Sequence, residues 1–136
     1  MKTGYTKLAS IARKIFNPFS YSDYEKNFQL GMSFLKLNEV KGDYAEFGVY
    51  RGDSMITAHH FAKANNLNMN FFGFDSFQGL PKPKKEDKNF SWKEGDYSAS
   101  IKEVEKRLRK NGLIDFHLIR GWFKETLKRE RDENTA

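Results

Sequence analysis

Residues 44–54, Tyr-Ala-Glu-Phe-Gly-Val-Tyr-Arg-Gly-Asp-Ser, contain the local pattern on which the fold prediction rests. The first six are apolar apart from one acid, which is typical of a strand buried on both faces of a parallel sheet. Gly48 lets the chain turn sharply where the strand ends, and Gly52 lets the backbone approach a ligand at the start of a helix with free N–H donors. By itself, this spacing fits an ordinary strand-to-helix turn equally well.

Further strand and helix signals follow this turn. The order strand, helix, strand, helix, strand predicts an α/β, Rossmann-like βαβαβ half of a doubly wound parallel sheet. We predict strands at residues 44–49, 70–74 and 116–119, a helix to about Asn65 capped by Asp53 or Ser54, and a helix ending at Gly112 that begins with a capping box of Ser100 and Glu103. The loops after the strands then share one edge of the sheet.

Helical patterns precede the first strand. Residues 5–16 form a basic amphipathic pattern that ends at Asn17, and we interpret it as a helix packed on its own domain or on a partner subunit, with membrane-surface binding as the alternative. A capping box of Ser22 and Glu25 begins a second predicted helix. Its inward side chains are predicted to be Tyr24, Phe28, Phe34 and Leu35.

Composition and charge limit the class of protein. The 136 residues are 38% hydrophobic and 31% charged, with 13 Phe, 6 Tyr and 2 Trp, which is ample material for a core. The chain has no cysteine, which fits a reducing compartment, and no apolar run long enough to span a membrane. Its net charge of +6 is spread among interleaved acids and bases. We therefore expect a cytoplasmic protein that binds no nucleic acid and does not insert stably into membranes.

An acid at the end of the second predicted strand narrows the ligand class. Asp75 follows residues 70–74 and can accept hydrogen bonds from both ribose hydroxyls of an adenosine ligand. A nicotinamide dinucleotide favours glycine at position 50, beside its pyrophosphate, where this chain has Tyr50. The combination favours S-adenosylmethionine (AdoMet), and an NAD-dependent oxidoreductase is the alternative.

Four sequence words in this order are recognisable together. They are Glu46-Phe-Gly-Val-Tyr-Arg-Gly52, Asp75-Ser-Phe-Gln-Gly-Leu-Pro81, Gly95-Asp-Tyr-Ser98 with Val104, and Gly121-Trp-Phe-Lys-Glu-Thr-Leu127. Over about residues 40–128 the chain resembles the macrocin O-methyltransferase family, class I AdoMet-dependent enzymes that methylate sugar hydroxyls in bacterial natural-product pathways.

The resemblance implies an AdoMet-dependent O-methyltransferase with a small-molecule sugar or glycoside acceptor. It implies that Asp75 holds the ribose diol, that Ser76 and Phe77 lie beside the adenosine, and that Trp122 lies near the adenine. Residues 82–97 would lie over the site as a lid, although their lysines suit a solvated face equally well. The methionine and ribose side would be lined by Glu46, Gly48, Tyr50, Arg51, Gly52 and Ser54.

The family pattern continues past the last matching word into a fourth strand with an Asp-rich word that binds Mg²⁺, and this chain does not contain that word. We therefore expect the amino-terminal part of an enzyme, with a helical segment at residues 1–40 and an AdoMet-binding half-domain at residues 41–136. Mg²⁺ is implied by the resemblance, but we predict no metal ligands here and no catalytic residues are identified. A non-catalytic AdoMet-binding remnant is the alternative.

The histidines offer no catalytic pair. His59 and His60 are adjacent on a predicted helix and face different directions, and His117 lies in a predicted strand. Without a fourth strand beside it, residues 44–49 would be a sheet edge with no protective lysine or proline. We expect the chain to be marginally stable and to associate through this strand, as a homo-oligomer or with a separate carboxyl-terminal half.

Overall fold

The computed structural model describes residues 22–87 and 91–127. It confirms the βαβαβ order, with small shifts in the strand bounds. The helix predicted at residues 5–16 lies outside the described residues. In chain order, the described elements are α1 (Asp23–Leu37), β1 (Tyr44–Phe47), α2 (Asp53–Ala64), β2 (Phe71–Asp75), a 3₁₀ turn (Lys85–Asp87), α3 (Ile101–Lys110), β3 (His117–Arg120) and α4 (Phe123–Thr126).

The three strands form a parallel sheet in the order β1-β2-β3. Tyr44 is in register with Phe71, and Phe72 with His117. Helices α2 and α3 connect consecutive strands, and their apolar side chains form a core with one face of the sheet. This core includes Met55, Ala58, Phe61, Ala62, Phe71, Val104 and Leu108.

Helix α1 begins with the predicted capping box. The Ser22 hydroxyl accepts from the Glu25 N–H, and the Glu25 carboxylate accepts from the Ser22 N–H. Phe28 and Leu35 pack against the core as predicted. The inward prediction was wrong for Phe34, which is 60% exposed, because two residues along a helix turn the side chain about 200° away from the buried Met32. Tyr24 is also exposed.

Two predicted caps differ in the structure. The residue that caps α2 is Gly52, with φ 77°, and neither Asp53 nor Ser54, because the chain enters this helix through a left-handed turn. Ser100 stands at the amino-terminal cap of α3, but its hydroxyl makes no capping hydrogen bond, so the predicted capping box was wrong there. Its ψ is 125°, whereas that of Ser22 is 159°. The predicted stop at Gly112 is confirmed by a left-handed φ of 87°.

The second face of the sheet is largely apolar and largely open among the described residues. It carries Ala45, Phe47, Phe72, Phe74, His117 and Ile119. Helix α4 packs beside it through Phe123, whose ring centroid lies 5.9 Å from that of Phe47. Phe47 is 55% exposed.

Strand β1 is an edge of the described sheet. The N–H groups of Tyr44 and Gly48 bond to carbonyls of the β2 segment, so those of the alternate residues Ala45 and Phe47 point to the open side. The helices within residues 22–87 and 91–127 are all too short or too polar to cross a membrane.

Candidate functional site

A cavity of about 410 Å³ opens at the carboxyl edge of the sheet, between the segments that follow β1, β2 and β3. This is where an open α/β sheet binds its ligands, because the loops after parallel strands converge there. Five of the ten residues assigned to the site from sequence line this cavity: Gly48, Tyr50, Asp75, Ser76 and Trp122.

The other five assigned residues lie around this cavity without lining it. Phe77 is buried behind the β2 turn, and Arg51 is exposed, with its guanidinium carbon 5.1 Å from the centroid of the Tyr50 ring. Glu46, Gly52 and Ser54 face the core side of the first turn. None of these five residues lines the cavity.

The two glycines of the first turn have different surroundings. Gly48 has φ 91°, and a Cβ built on it would meet no atom within 4 Å, so its backbone faces open space beside the cavity. Gly52 has φ 77°, and a Cβ there would lie 2.9 Å from Cδ2 of Leu108 in α3. The backbone of Gly52 thus approaches a neighbouring helix, whereas its sequence position predicts an approach to a ligand.

The Asp75 carboxylate joins the two turns that border the cavity. Its Oδ2 accepts from the N–H groups of Val49 at 2.8 Å and Tyr50 at 2.9 Å. Its Oδ1 accepts from the N–H of Phe77 at 2.7 Å. One side chain at the end of β2 therefore fixes the backbone after β1 and the backbone after β2.

Three aromatic residues near the cavity have left-handed backbone conformations, which are uncommon outside glycine. They are Tyr50 with φ 49°, Phe77 with φ 55° and Tyr97 with φ 61°. The rings of Tyr50 and Tyr97 meet edge to face with centroids 5.5 Å apart. Backbone strain of this kind tends to cluster at functional sites.

Glu46 is buried beneath the turn that follows β1, and its carboxylate accepts two side-chain hydrogen bonds. Its carboxylate accepts from the Tyr44 hydroxyl at 2.5 Å and from the Ser54 hydroxyl at 2.6 Å. Burial raises the pKa of Glu46, and the nearby Asp75 charge raises it further, while the Ser54 and Tyr44 hydrogen bonds oppose the shift. Burial, followed by Glu46, raises the pKa of Tyr44. This network connects β1 to the first turn of α2.

The segment after β2 is fastened to a later turn at the rim of the cavity. The Leu80 N–H donates to the Asp96 carbonyl at 2.7 Å, and the Gly95 N–H donates to the Leu80 carbonyl at 2.9 Å. A Cβ on Gly79 would collide with the Gly95 carbonyl, so these two backbones touch. Tyr97, just beyond this contact, lines the cavity, whereas the described lysines of residues 82–97 are exposed.

Six further lining residues were not assigned to the site from sequence. They are Gly79, Leu80, Pro81, Tyr97, Gly121 and Phe123. All six belong to the quoted sequence words, so their position in those words was the available signal. The hydrogen bonds between Leu80 and residues 95–96 that close the rim join segments distant in sequence, so the sequence spacing does not reveal them.

The described residues offer no ligand set for a metal. Within residues 22–87 and 91–127, no group of three or more His, Asp or Glu side chains could hold a metal ion. The His59 ring packs 5.6 Å from Phe71, and the His117 ring stacks on Phe72 at 4.9 Å. Burial, together with Lys63 and His60, lowers the pKa of His59.

The chain has a parallel βαβαβ sheet, a glycine turn after β1, an acid at the end of β2 and a cavity between them. These features define a partial Rossmann-like fold. Comparison with known proteins narrows this class. The chain belongs to the macrocin-O-methyltransferase (TylF) family, whose model matches residues 24–136.

Two curated relatives are O-methyltransferases. The mycinamicin III 3''-O-methyltransferase of Micromonospora griseorubida is 32% identical over 99 residues, which are 65% of this chain and 39% of the relative. The demethyldecarbamoylnovobiocin O-methyltransferase of Streptomyces niveus is 30% identical over 99 residues, covering 66% and 38% of the two chains. This chain thus spans about two fifths of the length of these relatives.

Solved structures support the same fold. The O-methyltransferase NovP superposes with a TM-score of 0.61 at 24% identity, over 74% of this chain and 46% of NovP. The calicheamicin methyltransferase CalS11 superposes with a TM-score of 0.60 at 21% identity, over 86% and 52%. At this level of identity the likeness shows the fold.

Proposed function

We propose that this chain binds AdoMet in the cavity at the carboxyl edge of its sheet and forms the cofactor-binding part of an O-methyltransferase that acts on a sugar or glycoside hydroxyl. One observation carries the proposal: the glycine turn after β1 and the acid that ends β2 border a single cavity. The family membership and the names of the curated relatives support the reaction and the acceptor class.

The residues present suit such a ligand. A cavity of about 410 Å³ is within the range of small-molecule sites, roughly 300–1,000 Å³. Its walls are mainly apolar, from Leu80, Pro81, Trp122 and Phe123, with the Asp75 carboxylate among the few polar groups. Such a cavity can enclose an adenine between apolar walls and offer a charged acceptor to the ribose.

We assign the residues to the ligand as follows. Asp75 accepts from the ribose, Ser76 borders the adenosine with Phe77 buried behind it, and Trp122 packs near the adenine. Gly48 and Tyr50 border the path toward the methionine part, where Gly48 has open space on its Cβ side. Glu46, Arg51, Gly52 and Ser54 support this wall from outside the cavity, through the hydrogen bonds and packing of the first turn.

AdoMet supplies a methyl group on a positively charged sulfur, and transfer requires the acceptor hydroxyl in line with it. The described residues bind and orient the nucleoside and exclude water with apolar walls. The Mg²⁺ implied by the family resemblance finds no fitting ligand set among the described residues, so we assign no step to it. We place the protein in the cytoplasm, with a small-molecule acceptor as its partner.

Calorimetric titration of the chain with S-adenosylhomocysteine, and separately with NADH, tests the ligand. We expect binding of S-adenosylhomocysteine and none of NADH. The reverse preference would favour the oxidoreductase alternative, and no binding of S-adenosylhomocysteine would contradict the proposal.

A matched pair of glycine substitutions tests the location. Gly48→Val should abolish binding of S-adenosylhomocysteine while the helical circular dichroism persists, because the side chain would project into the ligand's space. Gly112→Val is the control: Gly112 has φ 87° and open surroundings like Gly48, but it follows α3 at the other end of the sheet. Equal loss of binding in both variants would show that the effect is one of backbone strain alone.

A further inference from the structure

The hydrogen-bonding capacity of Asp75 is nearly used up within the protein. A carboxylate has about four lone-pair sites, two on each oxygen. Oδ2 already accepts from two N–H groups, those of Val49 and Tyr50. Oδ1 accepts from one, that of Phe77. One site on Oδ1 is left for a ligand in the cavity that Asp75 lines.

Two of these three hydrogen bonds come from residues with left-handed backbones. Tyr50 and Phe77 have positive φ values of 49° and 55°, and each donates its N–H to Asp75. Residues with side chains adopt this conformation only where surrounding contacts determine it. Tyr50 lines the cavity after β1, and Phe77 is buried behind the turn after β2. Among the described residues, the Asp75 carboxylate is the charged acceptor that these two backbone turns share.

We propose that Asp75 is a positioning residue that holds Tyr50 and Phe77 in left-handed conformations on two sides of the cavity, and that it accepts a hydrogen bond from only one ribose hydroxyl of a bound nucleoside. The second part rests on the proposed function. It departs from the expectation that Asp75 accepts from both hydroxyls, because a second ribose bond would have to displace a backbone N–H.

Deoxy analogues of the ligand separate one ribose bond from two. The chain is titrated with S-adenosylhomocysteine and with its 2′-deoxy and 3′-deoxy forms. We expect one analogue to bind at least about tenfold more weakly and the other within about twofold of the parent, because a lost bond to a charged group is the larger effect. Comparable weakening of both analogues, or of neither, would overturn the single-hydroxyl assignment.

Amide hydrogen exchange tests the positioning role without any ligand. Asp75→Asn leaves one carbonyl oxygen, which can keep either the Val49 and Tyr50 bonds or the Phe77 bond. At least one of these amides should exchange about tenfold faster or more, since its acceptor is lost. Unchanged protection of all three amides would overturn the positioning role.

Asp43→Asn is the matched control, at the opposite end of β1. A single oxygen of Asp43, Oδ1, accepts both from the Asn70 N–H and from its side-chain amide, each at 2.9 Å. An asparagine carbonyl can keep both, so protection of the Asn70 amide should persist. If the chain binds no S-adenosylhomocysteine, the proposed function fails, and hydrogen exchange alone decides whether Asp75 holds the two turns.

Discussion

The two faces of the sheet are both largely apolar, but they have opposite surroundings. On one face, Phe71 is 3% exposed beneath α2, and a Cβ on Gly73 would lie within 2.9 Å of Val49, Leu118 and Met55. On the other, Phe47 stacks on Phe74 with centroids 5.0 Å apart and remains 55% exposed. A parallel sheet is apolar on both faces because both are normally covered. Here, among the described residues, one face is covered by α2 and α3 and supplies most of the packing, whereas the other face is largely open.

The largest expected effect is a difference in stability between truncating a side chain on the covered side of the sheet and truncating one on the open face. Leu108→Ala should lower the free energy of unfolding by about 3–4 kcal/mol, because Leu108 is fully buried between α3 and the sheet. Phe47→Ala should cost less than about 1 kcal/mol, since its ring is already half in water. Urea unfolding followed by circular dichroism measures both. Equal losses would mean that the open face is covered in solution.

The glycine that contacts α3 gives the next largest effect. Gly52→Ala should destabilise the chain by about 2 kcal/mol, because the new Cβ lies 2.9 Å from Leu108 at a residue with φ 77°. Gly31→Ala is the matched control on the outside of α1, where a Cβ meets nothing within 4 Å and the backbone is helical. It should stabilise by about 0.5–1 kcal/mol through helix propensity. Thermal unfolding of both variants checks the opposite signs.

The strands could be predicted from the sequence, but the side chains that each face buries could not. The apolar runs at residues 44–49 and 70–74 predicted strands β1 and β2, since a strand buried on both faces of a parallel sheet has such a run. Phe71 and Phe72 are the same residue type in adjacent positions, and only the register with β1 and the placement of α2 decides which is buried. Likewise, an acid and a glycine turn predicted where the cavity lies, whereas the closure of its rim by Leu80 and Tyr97 depends on contacts distant in sequence.

A third prediction concerns the open edge next to the open face. Because the N–H groups of Ala45 and Phe47 point away from β2, we expect the chain to associate through β1. Ala45→Lys should weaken association about tenfold, which corresponds to about 1.4 kcal/mol, by placing a charge on that edge. Size-exclusion chromatography with light scattering at several concentrations measures it. A wild-type chain that is monomeric at every concentration would contradict the prediction.

The smallest expected effect is a pH dependence of stability that comes from Glu46 on the covered side of the sheet. Burial raises the pKa of Glu46, so the folded chain binds this proton more tightly than the unfolded chain. The stability contributed by Glu46 is therefore full below its ordinary pKa, about 4.3, and is lost as the pH rises through the raised value. Glu46→Gln should flatten this decline.

Urea unfolding between pH 4 and pH 7 tests this effect, with the difference between wild type and Glu46→Gln as the readout. His59, whose pKa is lowered, acts in the opposite direction and cancels in that difference. A difference that does not change with pH would show that the Tyr44 and Ser54 hydrogen bonds offset the burial of Glu46.

The fastening of Leu80 to Gly95 and Asp96 has an evolutionary consequence. Since the two ends of the intervening segment are joined by backbone hydrogen bonds, the residues between them can vary in length and composition while the rim of the cavity keeps its shape. Lengthening a loop between fixed ends costs only about 0.6 kcal/mol per doubling. Descendants of this fold can therefore change what reaches the mouth of the cavity by insertion and deletion between Pro81 and Glu94, while the wall of the cavity stays the same.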